Sequence, residues 1–151
     1  MKTTGTVLGP RYDPFSIEME SSGQKCVKLA DGQFIEFVAR SSANALVIRY
    51  SLPDSEAGGG IDSTIEVYQN GTIVKTLPTT SRYSWIYGRY PFTNNPKDGK
   101  PRNFYNEARL QTPTIRKGDV IRLRNANNTP YCMIDLVDLE NGPPALPRLK
   151  R

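Results

Sequence analysis

The sequence predicts an all-β domain, a sandwich or barrel of roughly eight to ten short strands. Three observations carry this. Apolar and polar residues alternate with a period of two along most of the chain, as a strand with one buried face requires. Turn-forming groups punctuate the alternating runs: Asp31-Gly32, Asn70-Gly71, Lys117-Gly118 and the triplet Gly58-Gly59-Gly60. No segment carries an apolar stripe at helical spacing.

Taken in order, the alternating runs begin with residues 15–20 (FSIEME), 24–29 (QKCVKL) and 33–38 (QFIEFV), the last two separated by the Asp31-Gly32 turn. Residues 44–52 (NALVIRYSL) form a longer and more apolar run. Residues 63–68 (STIEVY) and 72–77 (TIVKTL) flank Asn70-Gly71. A type I′ turn needs positive φ at both central residues, which Asn and Gly tolerate, so this is the strongest hairpin signal in the chain. The last candidates are residues 119–124 (DVIRLR) and 131–140 (YCMIDLVDLE).

Composition narrows the function classes. The 151 residues suit one domain with a proper core. No apolar run approaches the length of a membrane span, so no membrane partner is expected. Histidine is absent, which removes Ser-His and Cys-His nucleophilic catalysis and the usual zinc sites. Cys26 and Cys132 match no metal spacing; they read either as two buried thiols or as a disulfide between an early and a late strand. The net charge of +5 is scattered. Arg122 and Arg124 alternate with Ile121 and Leu123 as on a solvated strand face, so no nucleic-acid partner is expected. After Glu140 the chain reads NGPPALPRLKR, a linker composition, which divides it into a domain at 1–140 and a linker at 141–151 toward a neighbouring domain. The N-terminus lacks the apolar core of a signal peptide, as in a cytosolic protein or an excised module.

Residues 81–107, SRYSWIYGRYPFTNNPKDGKPRNFYNE, concentrate the chemistry. A loop this long inside a compact domain is usually functional or disordered, and disordered segments are poor in aromatics. Flat apolar rings beside amide groups suit a ligand with CH faces and hydroxyl edges, which describes a sugar. Trp85 reads either as an exposed platform for a pyranose ring or as a core residue with its N–H on a loop carbonyl. Tyr87, Tyr90 and Phe92 lie around Gly88, where the strand pattern breaks, and are candidate sugar contacts. Asn94 and Asn95 offer a donor and an acceptor each, suited to vicinal hydroxyls or to local turns. Tyr105 and Glu107 complete the candidate set, with Glu107 alternatively a loop anchor. Asp54 and Asp62 flank the glycine-rich loop and read foremost as turn caps. Asp135 sits inside an apolar strand, where a carboxylate is costly unless paired or metal-bound.

Several segments in register, GQFIEF, NALVIRYSLPD, GGGID, YQNG, SRYSWIYG with YPF, FYNEAR, KGDVIRLR and IDLVDLE, together resemble the carbohydrate-binding modules of families 6 and 35. The resemblance is to modules found beside mycodextranase and α-1,3-glucanase catalytic domains of glycoside hydrolase family 87. It implies a β-sandwich jelly roll of two antiparallel sheets that binds carbohydrate through loops at one end. It also implies a monomeric module of a secreted enzyme, covalently linked to a catalytic domain and not itself an enzyme, with an α-glucan as the ligand. A structural calcium is implied near the termini, for which Glu20 of Glu18-Met19-Glu20 and Asp135 are the candidate ligands. Relatives often carry an aspartate where this chain has Asn106, in FYNE.

The function these readings favour is a glucan-binding module that tethers a hydrolase to polysaccharide. The rivals are a structural spacer or protein-interaction sandwich without a sugar site, and a glycosidase using Glu107 and Asp98.

Overall fold

A computed structural model of the chain describes residues 1–12, 16–18, 20–126 and 129–142. Its strands, in chain order, are β1 (Lys2–Thr3), β2 (Thr6–Leu8), β3 (Cys26–Ala30), β4 (Phe34–Val38), β5 (Ala43–Ser51) and β6 (Asp62–Gln69). They continue with β7 (Thr72–Thr80), β8 (Trp85–Ile86), β9 (Arg102–Asn103), β10 (Asn106–Ile115), β11 (Val120–Ala126) and β12 (Tyr131–Glu140). Two five-stranded antiparallel sheets pack face to face, in the orders β1-β4-β11-β6-β7 and β10-β5-β12-β3-β2. Of the sandwich or barrel that the alternation left open, the two-sheet sandwich implied by the resemblance is what forms.

The core lies between the sheets. Leu46, Ile48 and Tyr50 of β5, Leu29 of β3 and Cys132 and Ile134 of β12 face Ile35 of β4, Ile65 and Val67 of β6 and Ile121 and Leu123 of β11. Burying such side chains stabilises the fold by about 1.5–3 kcal/mol each before chain entropy is counted. The opposite face of the first sheet carries charge. Arg122 faces Glu36 across β11 and β4, and Arg124 faces Glu66 across β11 and β6, with closest approaches of 2.7 and 2.6 Å. The arginines that sequence reading placed on a solvated face are therefore paired with carboxylates on it.

The Asn70-Gly71 hairpin closes β6 onto β7, with φ of 51° and 84° at the two residues. Asp119 braces it, accepting from Arg116 N at 2.9 Å, Gln69 Nε2 at 3.1 Å and Asn70 Nδ2 at 3.1 Å. These donors, the Arg116 amide foremost, hold the Asp119 carboxyl below the usual carboxylate range.

In β12, Ile134 pairs with Tyr50 and Leu136 with Arg49, leaving Asp135 as the extra residue of a β-bulge. The core-facing residues of β12 consequently shift from even positions, Cys132 and Ile134, to odd ones, Val137 and Leu139.

Some elements differ from the sequence reading. Residues 15–20 were expected as a strand, yet Ile17, Glu18 and Glu20 lie in turns, and a short 3-10 turn at Ser22–Gln24 follows. Phe15 and Met19 lie outside the described residues. The ten-residue strand β10 was not anticipated, because its sequence is largely polar and contains Pro113. Cys26 and Cys132 are buried free thiols. Cys132 pairs with Leu29 and shares its core face, whereas alternation along β3 turns Cys26 to the other side of the sheet. Of the expected linker, Asn141 and Gly142 are tied to the sandwich, Asn141 Nδ2 donating to Ser42 O and Gly142 N to Asn44 Oδ1. Residues 143–151 of that linker lie outside the described residues.

Candidate functional site

Two loops build one end of the sandwich: residues 52–61, leaving β5, and residues 81–105, which connect β7 to β10. The second is no featureless loop. Within it β8 pairs with β9, Tyr87 bridges Thr93, and a 3-10 turn spans Pro96–Asp98. Asn95 caps that turn, its Oδ1 accepting from Lys97 N at 3.0 Å.

Asp54 locks the two loops together. Its Oδ1 accepts from Ser55 N at 2.9 Å and Gly60 N at 2.7 Å, and its Oδ2 accepts from the Tyr87 hydroxyl at 2.6 Å. The same hydroxyl accepts from Gly59 N at 2.9 Å. Burial, and after it the bond to Asp54, pushes the Tyr87 phenol upward in pKa. Gly60, at φ +84°, has no room for a side chain, since an added Cβ would stand 2.5 Å from the Ser81 and Arg82 backbone. Trp85 Nε1 donates to Leu52 O at 3.2 Å, joining the loops a second time.

Two clefts open on either side of Pro101. One, of about 460 Å³, is lined by Asp54, Glu56, Gly58, Trp85, Tyr87, Pro96 and Tyr131 among others. The second, of about 390 Å³, is lined by Gly88, Arg89, Tyr90, Phe92, Lys100, Pro101 and Arg102. Tyr90 stands edge-on to Phe92, ring centroids 6.1 Å apart, and Tyr90 is 87% exposed. The Arg102 guanidinium lies 4.7 Å from the Phe92 centroid and 5.6 Å from that of Phe104. A hollow of about 540 Å³ elsewhere, lined by Met1, Phe37, Val38, Arg40, Val137 and Leu139, holds none of the candidate residues.

The structure thus separates the residues singled out by sequence. Tyr90 and Phe92 share one cleft; Trp85 and Tyr87 line the other, Trp85 half-buried and Tyr87 buried with its hydroxyl satisfied. Asn94 and Asn95 are exposed in the same loop, Asn95 engaged as a cap. Tyr105 belongs to neither cleft lining. Its hydroxyl meets Ser21 Oγ at 2.6 Å, its ring lies under the Arg49 guanidinium at 4.8 Å, and burial drives its pKa upward. Glu107 is exposed on β10, opposite Arg49 on β5. Of the flanking acids, Asp54 is the loop lock, and Asp62 pairs with Arg82 at 2.9 Å on the surface. Sequence reasoning missed Arg102, whose partners Phe92 and Phe104 come from opposite sides of the loop, and Tyr83, which is 88% exposed.

The calcium candidates do come together, around a different cation. Asp135 Oδ2 receives Arg49 Nη1 at 2.6 Å, its Oδ1 receives Ser22 N at 2.7 Å, and the Glu20 carbonyl accepts from the same Arg49 nitrogen at 3.3 Å. Both carboxylate oxygens of Asp135 are engaged by N–H donors, one of them the Arg49 guanidinium. Among the described residues no group of three or more acidic or thiol side chains converges on one point. As arranged, this donor set does not fit calcium, which takes six to eight oxygens.

Residues 1–142 match the family described as alpha-1,3-glucanase catalytic domain D1. The chain belongs to that family. Among solved structures it is similar to the catalytic unit of a thermostable α-1,3-glucanase of glycoside hydrolase family 87 from Streptomyces thermodiastaticus strain HF3-3. Identity there is 32%, with a TM-score of 0.79 over 98% of this chain and 26% of that one. It is likewise similar to the Agl-KA catalytic domain, at 27% identity and a TM-score of 0.85, covering 97% of this chain and 27% of that one. The chain therefore spans about a quarter of the length of these glucanase structures. No curated protein matches.

This membership corrects one expectation. The chain was read as an accessory module beside a catalytic domain and not an enzyme. The matched region is instead named as part of the catalytic domain itself, and the similar structures are catalytic units. The other half of the resemblance rests on fold. A family 6 carbohydrate-binding module from Clostridium stercorarium, solved with cellobiose, superposes with a TM-score of 0.51 at 12% identity, over 91% of this chain and 87% of that one.

Proposed function

We propose that the chain is the β-sandwich portion of an α-1,3-glucanase catalytic unit and that its loop end holds the glucan. The observation that carries this is the Tyr90–Phe92 cleft: two rings at right angles on a braced loop, one of them almost fully exposed. A pyranose offers CH faces to rings and hydroxyl edges to polar groups, and both kinds of partner stand here. Membership of the α-1,3-glucanase family supports α-1,3-linked glucose as the sugar. Such a cleft is open and buries little of one short glycan, so the affinity per site is modest. Along a polymer, repeated contacts keep the enzyme near its substrate and raise the effective concentration. Insoluble glucan lies outside the cell, so this reading carries with it a secreted enzyme.

The test is depletion of the purified chain by insoluble α-1,3-glucan, with dextran, β-1,3-glucan and cellulose alongside. Selective depletion by the α-1,3-glucan is expected, and Tyr90→Ala should weaken it about fivefold. A folded sample that no polymer depletes would point instead to a structural spacer.

A further inference from the structure

The two clefts beside Pro101 differ in sign. The lining of the Trp85 cleft includes Asp54 and Glu56 and, among the described residues, no lysine or arginine. The Tyr90–Phe92 cleft is lined by Arg89, Lys100 and Arg102 and, among the described residues, by no carboxylate. Asp98, beside Gly88, has its Oδ2 engaged by the Thr93 hydroxyl. Arg102 is fixed, stacked on Phe92 and reaching Phe104. Lys100 has a left-handed backbone, φ 46°. That conformation is uncommon for a lysine. The other non-glycine residue with positive φ among the described residues is Asn70, in its hairpin turn.

A neutral glucan takes ordinary hydrogen bonds from these cations, but it makes no use of the charge attraction that they hold out to an anion. Guanidinium and ammonium groups beside an aromatic wall suit a planar carboxylate or a phosphate, to which they donate charge-assisted hydrogen bonds. We infer that the Tyr90–Phe92 cleft accepts a saccharide bearing an anionic group, carboxylate or phosphate, with the sugar ring on Tyr90 or Phe92 and the anion toward Arg89, Lys100 and Arg102. The acidic rim of the Trp85 cleft repels the same group, so the charged residue of a chain crossing Pro101 has one favoured end. The ring contacts rest on the proposed glucan reading; the charge preference goes beyond it.

The experiment is calorimetric titration of the whole chain with three trisaccharides. One is α-1,3-linked glucose alone, one carries a terminal glucuronate and one a terminal glucose 6-phosphate. At least one acidic form should bind about tenfold tighter than the neutral one. That advantage should vanish between about 0.05 M and about 0.5 M NaCl, as screening requires. It should also vanish in Arg89→Gln combined with Lys100→Asn, asparagine being chosen because it tolerates the left-handed backbone. Lys75→Gln, on β7, should leave it unchanged. A preference for one acidic form alone names the anion. Equal affinity for neutral and acidic trisaccharides, or an advantage that survives the double variant, overturns the inference while leaving the glucan reading intact. No binding of any of the three by a folded sample removes both.

Discussion

Arg49 and Asp135 form an ion pair that fastens the N-terminal segment to the sandwich, Nη1 standing 2.6 Å from an Oδ2 whose side chain is fully shielded from solvent. The β-bulge turns Asp135 out of the core and into reach of β5. The pair also holds Ser22 through its amide and Glu20 through its carbonyl. Removing one partner strands a charge. Arg49→Leu should therefore cost about 3 kcal/mol, the low end for a broken buried pair because Arg49 is partly exposed. Replacing both residues with apolar ones should cost less than Arg49→Leu alone. Urea unfolding of Arg49→Leu and of the double variant measures this; a loss below about 1 kcal/mol in Arg49→Leu would show the pair to be energetically idle.

The same pair sets the response to metal. A ligand that binds only the folded state raises the melting temperature, and removing it lowers the temperature again. With Arg49 already neutralising Asp135, chelator and millimolar calcium should each leave the melting temperature unchanged within about 1 °C. A rise of several degrees with calcium alone would mean that an ion displaces the guanidinium or binds elsewhere.

Tyr87 and Gly60 make the loop end rigid through Asp54. Tyr87→Phe removes one hydroxyl that donates to Asp54 and accepts from Gly59 N, and should destabilise by about 1–3 kcal/mol. Gly60→Ala should cost more, because it combines a left-handed φ with a collision against the Ser81 backbone. Both should weaken depletion by α-1,3-glucan without touching Tyr90. Thermal melts and depletion assays on the same samples separate lost folding from lost binding.

The sandwich was legible because its information is local. The alternation in residues 33–38 or 119–124 and the Asn70-Gly71 turn are each set within a few consecutive residues and mark strands unaided. What escaped was set by distant partners. β10 is a strand because Asn106 to Gln111 pair with β5, a polar sequence accepted at a sheet edge. Ile17, Glu18 and Glu20 lie in turns instead of a strand, and Arg49 and Asp135, far along the chain, hold Glu20 and Ser22. The aromatic loop was recognisable as a site region from its composition, yet the division of labour within it was not. Tyr87 and Tyr90 look alike in sequence; Asp54 buries one, and Gly88 turns the chain between them.

The last prediction concerns alkali. Cys132 is completely buried, and desolvation pushes its thiol from 9.0 up to about 12. Burial likewise raises Tyr105. The folded chain thus keeps protons that the unfolded chain gives up. Their contribution is whole below the unfolded pKa and is lost as pH climbs toward the folded one, so stability must fall above about pH 9. For Cys132 alone the loss between about pH 8.5 and about pH 10 amounts to about 1 kcal/mol. Cys132→Ala should begin less stable, from the cavity it leaves, but decline less steeply over that range by the same amount. Urea midpoints at the two pH values, for the parent chain and the variant, give the difference of slopes. Equal slopes would mean that the thiol ionises as readily in the fold as out of it. A thiol reagent supplies the independent check: neither cysteine should react in the native protein, and both should react in urea.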